Sequence, residues 1–246
     1  MVELIKQLNG YSGSDIFLMR NGDDLFIRKV NNVDRNYERL DFLYKEGYNV
    51  PMIYSMSNNI LDMEYIHGLD MKNYLKSNDT SKLSAFILKT MVSFSMNSKM
   101  KNYTDVYYEK LKWLDSCDGM PFTKEELISK LPISLPQTKY HGDFTLENIL
   151  HTEKQFYMID AMTSEYDSYI FDIAKLRQDL ESKWFLRNDN IKMDVKLKNL
   201  QDEILEFYPI ANNNALVILM LLRVYPYSKD VMSKQFIMKE IKRLWK

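Results

Sequence analysis

Residues 140–148 read Tyr140-His141-Gly142-Asp143-Phe144-Thr145-Leu146-Glu147-Asn148, and Asp160 stands twelve residues past Asn148, flanked by Ile159 and Ala161. The stretch offers a carboxylate able to accept a hydroxyl proton (Asp143) and, five residues on, an amide oxygen (Asn148). A second carboxylate (Asp160) ends what reads as a hairpin. Phosphoryl transfer from a magnesium nucleotide uses this set of groups. An Asp after Gly is also a common turn-former or helix cap, so the assignment depends on the rest of the chain agreeing with it.

Upstream, Ile16-Phe17-Leu18-Met19 and Leu25 to Val30 flank Asn21-Gly22, the pattern of a β-hairpin. Asp34 to Glu46 carries Tyr37, Leu40, Leu43 and Tyr44 at helical spacing, with Asp34 placed to cap the helix and Gly47 to stop it. Val50 to Met56 and Ile60 to Ile66, joined through Asn58-Asn59, read as a second strand pair closed by His67-Gly68. Beyond Gly68 the period becomes helical, interrupted by the motif and the short strand Phe156 to Ile159. The expected fold class is α+β: a strand-rich region over 1–66 with one inserted helix, then a larger helical region over 67–246.

Composition narrows the function. The chain has 246 residues, 46% of them hydrophobic, enough to bury a sizeable core. With 33 basic and 34 acidic residues the net charge is −1, which gives no overall pull toward nucleic acid. One cysteine, Cys117, excludes an internal disulfide, and no run of about 18 apolar residues suggests a membrane span. The expectation is a soluble protein of a reducing compartment, the cytoplasm, with no nucleic-acid or membrane partner.

On these residues the chain resembles the aminoglycoside phosphotransferase and choline kinase superfamily, which shares the protein kinase-like fold. The resembling motifs are His141-Gly142-Asp143, Asn148, Ile159-Asp160 and Asp172-Ile173-Ala174. The resemblance implies a two-lobe kinase fold, with the small antiparallel β-sheet lobe in 1–66. It implies that Asp143 orients the acceptor hydroxyl and takes its proton, that Asn148 and Asp160 hold Mg2+, that His141 braces the loop, and that Asp172 ties down the loop backbone.

The nucleotide, ATP or GTP, would be held by the first region. Ser12 and Gly13, within Asn9 to Ser14, could turn over its phosphates, although two glycines and two serines are also an ordinary hairpin turn. Leu25, Ile27 and Lys29 share one strand face, carrying an apolar surface to a cation, while Arg28 points the other way. By resemblance Glu38 would pair with Lys29, the alternative for both being a solvated surface pair. The backbone C=O of Glu64 and N–H of Ile66 would meet the adenine edge.

Protein kinases place Arg between the His and Asp of this motif and Phe-Gly after the metal-binding Asp; here Gly142 and Ala161-Met162 stand instead, and eleven residues separate Asp160 from Asp172. The expected acceptor is therefore a hydroxyl of a small molecule: a sugar, an aminoglycoside or an amino alcohol. Asp167, Asp179, Glu181, Trp184 and Asp189 are candidates to surround a cationic acceptor. Two other readings stay open, a catalytically silent nucleotide-binding protein and a Ser/Thr protein kinase. Acceptor identity, ATP against GTP, and oligomeric state are not encoded in any motif.

Overall fold

A computed structural model describes residues 2–8 and 13–246. In chain order the elements are β1 (Val2–Leu8), β2 (Asp15–Asn21), β3 (Asp24–Val30), α1 (Asp34–Lys45), β4 (Ile53–Ser57), β5 (Ile60–Glu64), β6 (Leu69–Asp70), α2 (Met71–Ser77), α3 (Ser81–Ser95), β7 (Lys99–Asn102), α4 (Thr104–Leu111), α5 (Lys124–Lys130), β8 (Ser134–Gln137), β9 (Ile149–His151), β10 (Phe156–Met158), α6 (Tyr169–Leu180), α7 (Asp194–Phe207), α8 (Asn214–Val224) and α9 (Val231–Leu244). They form two compact units, the chain up to Lys76 with Glu147–Ser164, and Ser77–Leu146 with Glu165–Lys246.

The first unit is built on an antiparallel sheet of order β1-β2-β3-β5-β4. Asn21 pairs with Asp24, so the two-residue turn is Gly22-Asp23, one position past the Asn21-Gly22 expected from sequence. Asn58 and Asn59 both have positive φ, 49° and 59°, the type I′ geometry that suits the twist of the flanking strands β4 and β5. Strand β1 has no clean alternation in its sequence. Its pairing with β2 shifts register between Leu4 and Lys6, which breaks the period that would have announced it.

Helix α1 buries Asn36, Arg39, Leu40 and Leu43; Tyr44, expected on the same face, is 47% exposed. Val33 occupies the cap position without a side-chain bond, and Asp34 opens the first turn instead. At the other end Gly47, with φ 82°, donates to the carbonyl of Tyr44 at 3.0 Å while Tyr48 donates to that of Leu43 at 3.0 Å. This is a Schellman stop, which needs a left-handed residue at Gly47.

The β9–β10 hairpin and β6 make a second sheet, order β10-β9-β6. Within the first unit this sheet and the segment after it are stitched to Asn49 and to α1. Met158 donates to the carbonyl of Asn49 at 2.9 Å, Asn49 Nδ2 to that of Phe156 at 3.2 Å, and Thr163 to that of Arg35 at 3.0 Å. Tyr74 of α2 packs its ring 5.2 Å from Phe156 and 4.7 Å from His151. The change of sequence period at 66 thus does not coincide with the limits of the packing unit.

In the second unit α6 and α8 supply the core. Helix α8 is buried on all sides from Ala215 to Leu222, and α6 from Ile170 to Leu180. Ser168 and Asn213 cap them, accepting from Ile170 at 3.3 Å and Ala215 at 2.8 Å. Arg177, 2% exposed, donates to the carbonyls of Ala211 and Asn213 and to Glu181. Among the described residues no helix is long and apolar enough to cross a membrane.

Nothing lies within 4 Å of a Cβ built on Gly47, so a substitution there strains only the backbone. Gly47→Ala is expected to lower stability by about 1 kcal/mol in urea unfolding, the usual cost of placing an L side chain in the left-handed region. An unchanged midpoint would contradict the Schellman assignment.

Candidate active site

In the second unit, one stripe of α6 holds the motif loop. Asp172, 2% exposed, accepts the N–H groups of His141 at 2.5 Å and Gly142 at 2.8 Å. Three residues along, Lys175 reaches Asp143 Oδ1 at 3.2 Å. Asp179, fully buried, accepts from Leu146 N–H at 2.7 Å and Phe185 N–H at 3.2 Å. Positions i, i+3 and i+7 share a helix face, so the stripe is matched in order by residues 141, 143 and 146 of the loop.

Gly142, with φ 91°, supplies the left-handed turn between His141 and Asp143, where an L side chain would be strained. Its carbonyl accepts from Arg223 at 3.1 Å, and that guanidinium lies 5.2 Å from the Tyr166 ring centre. His141 Nδ1 accepts the N–H of Asp143 at 3.3 Å, and the ring packs edge-on against Phe144. Burial acts to raise the Asp143 pKa, but the positive charges of Lys175 and Arg223 outweigh it. The carboxyl therefore titrates below its ordinary value.

The first unit holds the second carboxylate. Asp160 lies two residues past β10 with φ 59°, an uncommon backbone state that Asp tolerates better than most residues. Its Oδ1 accepts from Lys29 Nζ and, at 2.9 Å, from Asn36 Nδ2; Asn36 also donates to the carbonyl of Ala161 at 2.8 Å. Lys29 and Asn36 are 3% and 1% exposed. Arg28, one residue before Lys29, points the other way into a two-pronged pairing with Asp62, both bonds 2.7 Å. Asn148 precedes β9, and its carbonyl accepts from Ile159 N–H at 2.9 Å, which ties it to the residue before Asp160.

Among the described residues no group of three or more His, Cys, Asp or Glu could hold a metal. The side chains expected to hold a cation, Asn148 and Asp160, offer oxygen donors only. Such a set would suit a hard cation which keeps waters and takes its remaining ligands from phosphates, rather than a site closed by protein alone.

Glu38 does not pair with Lys29. It is exposed on α1, two residues and thus about 200° around the helix from Asn36, which faces Asp160 instead. Asn36 shares the buried stripe of Leu40 and Leu43, and the spacing of apolar residues alone does not mark a polar residue that faces inward. Ser12 lies outside the described residues; Gly13, next to it, has φ 79° and its carbonyl accepts from Asn32 at 3.5 Å. Ser14 is 7% exposed, and its hydroxyl has no hydrogen-bond partner among the described residues. Glu64 ends β5, its N–H bonded to the carbonyl of Met52 at 2.8 Å, and Ile66 follows at 6% exposure.

The residues expected to surround a cationic acceptor are mostly engaged elsewhere. Asp167 accepts from Lys101, Tyr103 and Gln137, Asp179 holds the loop as above, and Glu181 pairs with Arg177 and Arg243. Trp184 is 6% exposed and packs against Phe236. Asp189 is exposed. Acidic and aromatic residues on a buried helix end up satisfying backbone and arginine partners, a demand the sequence pattern does not display.

Asp172→Ala would leave two buried N–H groups without their carboxylate, so a stability loss of about 2–4 kcal/mol is expected. Asp172→Asn, which keeps an acceptor oxygen, should recover part of it. Thermal unfolding of both variants reads this, and equal losses would contradict the assigned bonds.

No protein-family model and no curated protein matches the chain. Solved structures resemble it in fold. A protein from Haemophilus somnus 129PT described as a fructosamine-3-kinase is 14% identical, covering 100% of this chain and 92% of its own, with a TM-score of 0.64. The choline kinase from Streptococcus pneumoniae is 17% identical over 99% and 93%, TM-score 0.59. A thermostable aminoglycoside phosphotransferase mutant in ternary complex with ADP and hygromycin B is 12% identical over 99% and 93%, TM-score 0.66. The chain therefore has the protein kinase-like fold found in small-molecule kinases, an antiparallel sheet region followed by a larger helical one.

Proposed function

We propose that the chain is a phosphotransferase that moves the γ-phosphoryl group of a magnesium nucleoside triphosphate, ATP or GTP, to a hydroxyl of a small molecule. One observation carries the reading. The two motif carboxylates, Asp143 and Asp160, both stand on irregular backbone and are each paired with a buried lysine, Lys175 and Lys29. Ordinary surface carboxylates do not recruit buried cations. Asn148 follows Asp143 by five positions in the chain.

In this reading Asp143 accepts the proton of the acceptor hydroxyl as the new O–P bond forms. The bond from Pγ to its bridging oxygen breaks, and that electron pair leaves with the nucleoside diphosphate. Lys29 offers a cation to the α- and β-phosphates, and the Ser14 hydroxyl beside Gly13 is a candidate donor to phosphate. Glu64 C=O and Ile66 N–H are the candidate adenine contacts. Asn148 and Asp160 would hold magnesium, which when bound neutralises phosphate oxygens. Solved relatives in fold support nucleotide use: one structure carries ADP, and another, of the streptococcal choline kinase, carries AMP.

The surroundings of Asp143 favour a neutral or anionic acceptor, such as a sugar or polyol, over an aminoglycoside or amino alcohol. Lys175 and Arg223 bring positive charge to the base, and Asp167, Asp179 and Glu181 are already paired.

Nucleoside diphosphate release should be screened over neutral sugars, polyols, sugar acids, amino alcohols and aminoglycosides. Turnover is expected with the uncharged or acidic hydroxyl compounds, and turnover confined to the cationic ones would refute the acceptor assignment. Asp143→Asn is expected to cut turnover by about 10²–10⁴-fold or more while magnesium-nucleotide affinity stays near that of the parent. Equal turnover in the variant would remove Asp143 from the role of base.

A further inference from the structure

We propose that Lys175 is the positioning residue for Asp143, gripping one carboxylate oxygen from helix α6 so that the base meets the acceptor hydroxyl in a single orientation. The inference rests on the phosphotransferase reading above and adds a residue to it.

Three side chains of the α6 stripe reach the loop, and they do different things. Asp172 and Asp179 bond backbone N–H groups, at residues 141, 142 and 146, and so fix the course of the chain. Lys175 bonds no loop backbone. Its ammonium is 3.2 Å from Asp143 Oδ1, the one loop side chain assigned to chemistry. Anchoring of the loop is thus already accomplished without it.

A lysine only 5% exposed is costly to bury, and a helix of this kind would be more stable with an apolar residue there unless the charge had a use. The ion pair gives it one. A free Asp side chain rotates about two bonds; one held by a fixed ammonium does not, and orientation of a reacting group contributes strongly to rate.

The groups facing Asp143 come from three elements. Lys175 lies on α6, the Arg223 guanidinium on α8 where it also bonds the Gly142 carbonyl, and the titratable His141 imidazole in the loop itself; Asp172 is the neighbouring acid. Lys175 favours the ionised carboxylate, so removing it shifts protonation of Asp143 toward higher pH.

The test uses the full chain with Lys175→Met and Lys175→Arg, magnesium-ATP, and whichever hydroxyl compound the screen finds turned over, with water as acceptor otherwise. In Lys175→Met, kcat is expected to fall about 10- to 100-fold with KM for ATP nearly unchanged, and the acid limb of the pH–rate profile to move to higher pH. Lys175→Arg should recover part of kcat and restore the limb. Unchanged kcat with an unmoved acid limb would overturn the inference, as would a loss of activity that only follows a fall in melting temperature.

If Lys175→Met fails to fold, the Asp143 carboxyl is titrated by carbon-13 NMR in the parent, assigned by its absence in Asp143→Asn. A value below the ordinary carboxylate range supports the ion pair, and an ordinary or raised one overturns it. A parent chain that turns over no acceptor, water included, sinks the phosphotransferase reading instead, so the two failures are told apart.

Discussion

Charge buried on a helix must meet a partner at each position, and the loop that carries the motif follows from that constraint. Helix α6 is buried from Ile170 to Leu180, yet it places Asp172, Lys175 and Asp179 on one stripe about 10 Å long. Each would be costly alone in an apolar interior. The loop from His141 to Leu146 supplies what they lack, in the same order: two N–H groups, a carboxylate, an N–H. Gly142 permits the left-handed turn between the first two, and Arg223 holds that turn from α8. The geometry of the motif loop is therefore a by-product of satisfying the helix.

The first unit solves the same problem with different elements. Strand alternation sends Arg28 to Asp62 on one face and Lys29 to Asp160 on the other, while Asn36 from α1 completes the grip on that carboxylate. Bonds from Asn49 and Arg35 hold the β9–β10 hairpin and the segment after it beside the sheet. Both carboxylates of the motif are therefore met by a buried lysine, and in the proposed reading one takes a proton while the other faces a cation. The distinction lies in the environment, since the side chains are chemically identical.

Much of this was legible in the sequence, because alternation and turn chemistry are local. The Asn58-Asn59 turn, the Gly47 stop, the opposed faces of Arg28 and Lys29, and the α+β order all follow from short-range rules, while the kinase-like motif was read by resemblance. What failed was long-range pairing. Glu38 and Asn36 are equally polar on paper, and only the helix phase set by Leu40 and Leu43 turns Asn36 inward. Asp179 looked like a ligand for a cationic acceptor because its true partners, the N–H groups of Leu146 and Phe185, carry no signature in sequence. Lys175 left one trace that could have been read, a lysine three residues after Asp172 on an apolar helix. Strand β1 escaped because its register shift destroys the period by which strands are recognised.

Calorimetric titration of magnesium-ATP into the parent chain, Asp160→Ala and Arg28→Met tests the central claim most directly. The account predicts that Asp160→Ala weakens binding about tenfold or more, a loss of about 1.4 kcal/mol. Arg28→Met, altered on the face of β3 opposite Lys29, should bind as the parent does. Equal affinity in the parent and Asp160→Ala would contradict the assignment of Asp160 to the nucleotide-bound cation, and with it the reading of the chain as a phosphotransferase.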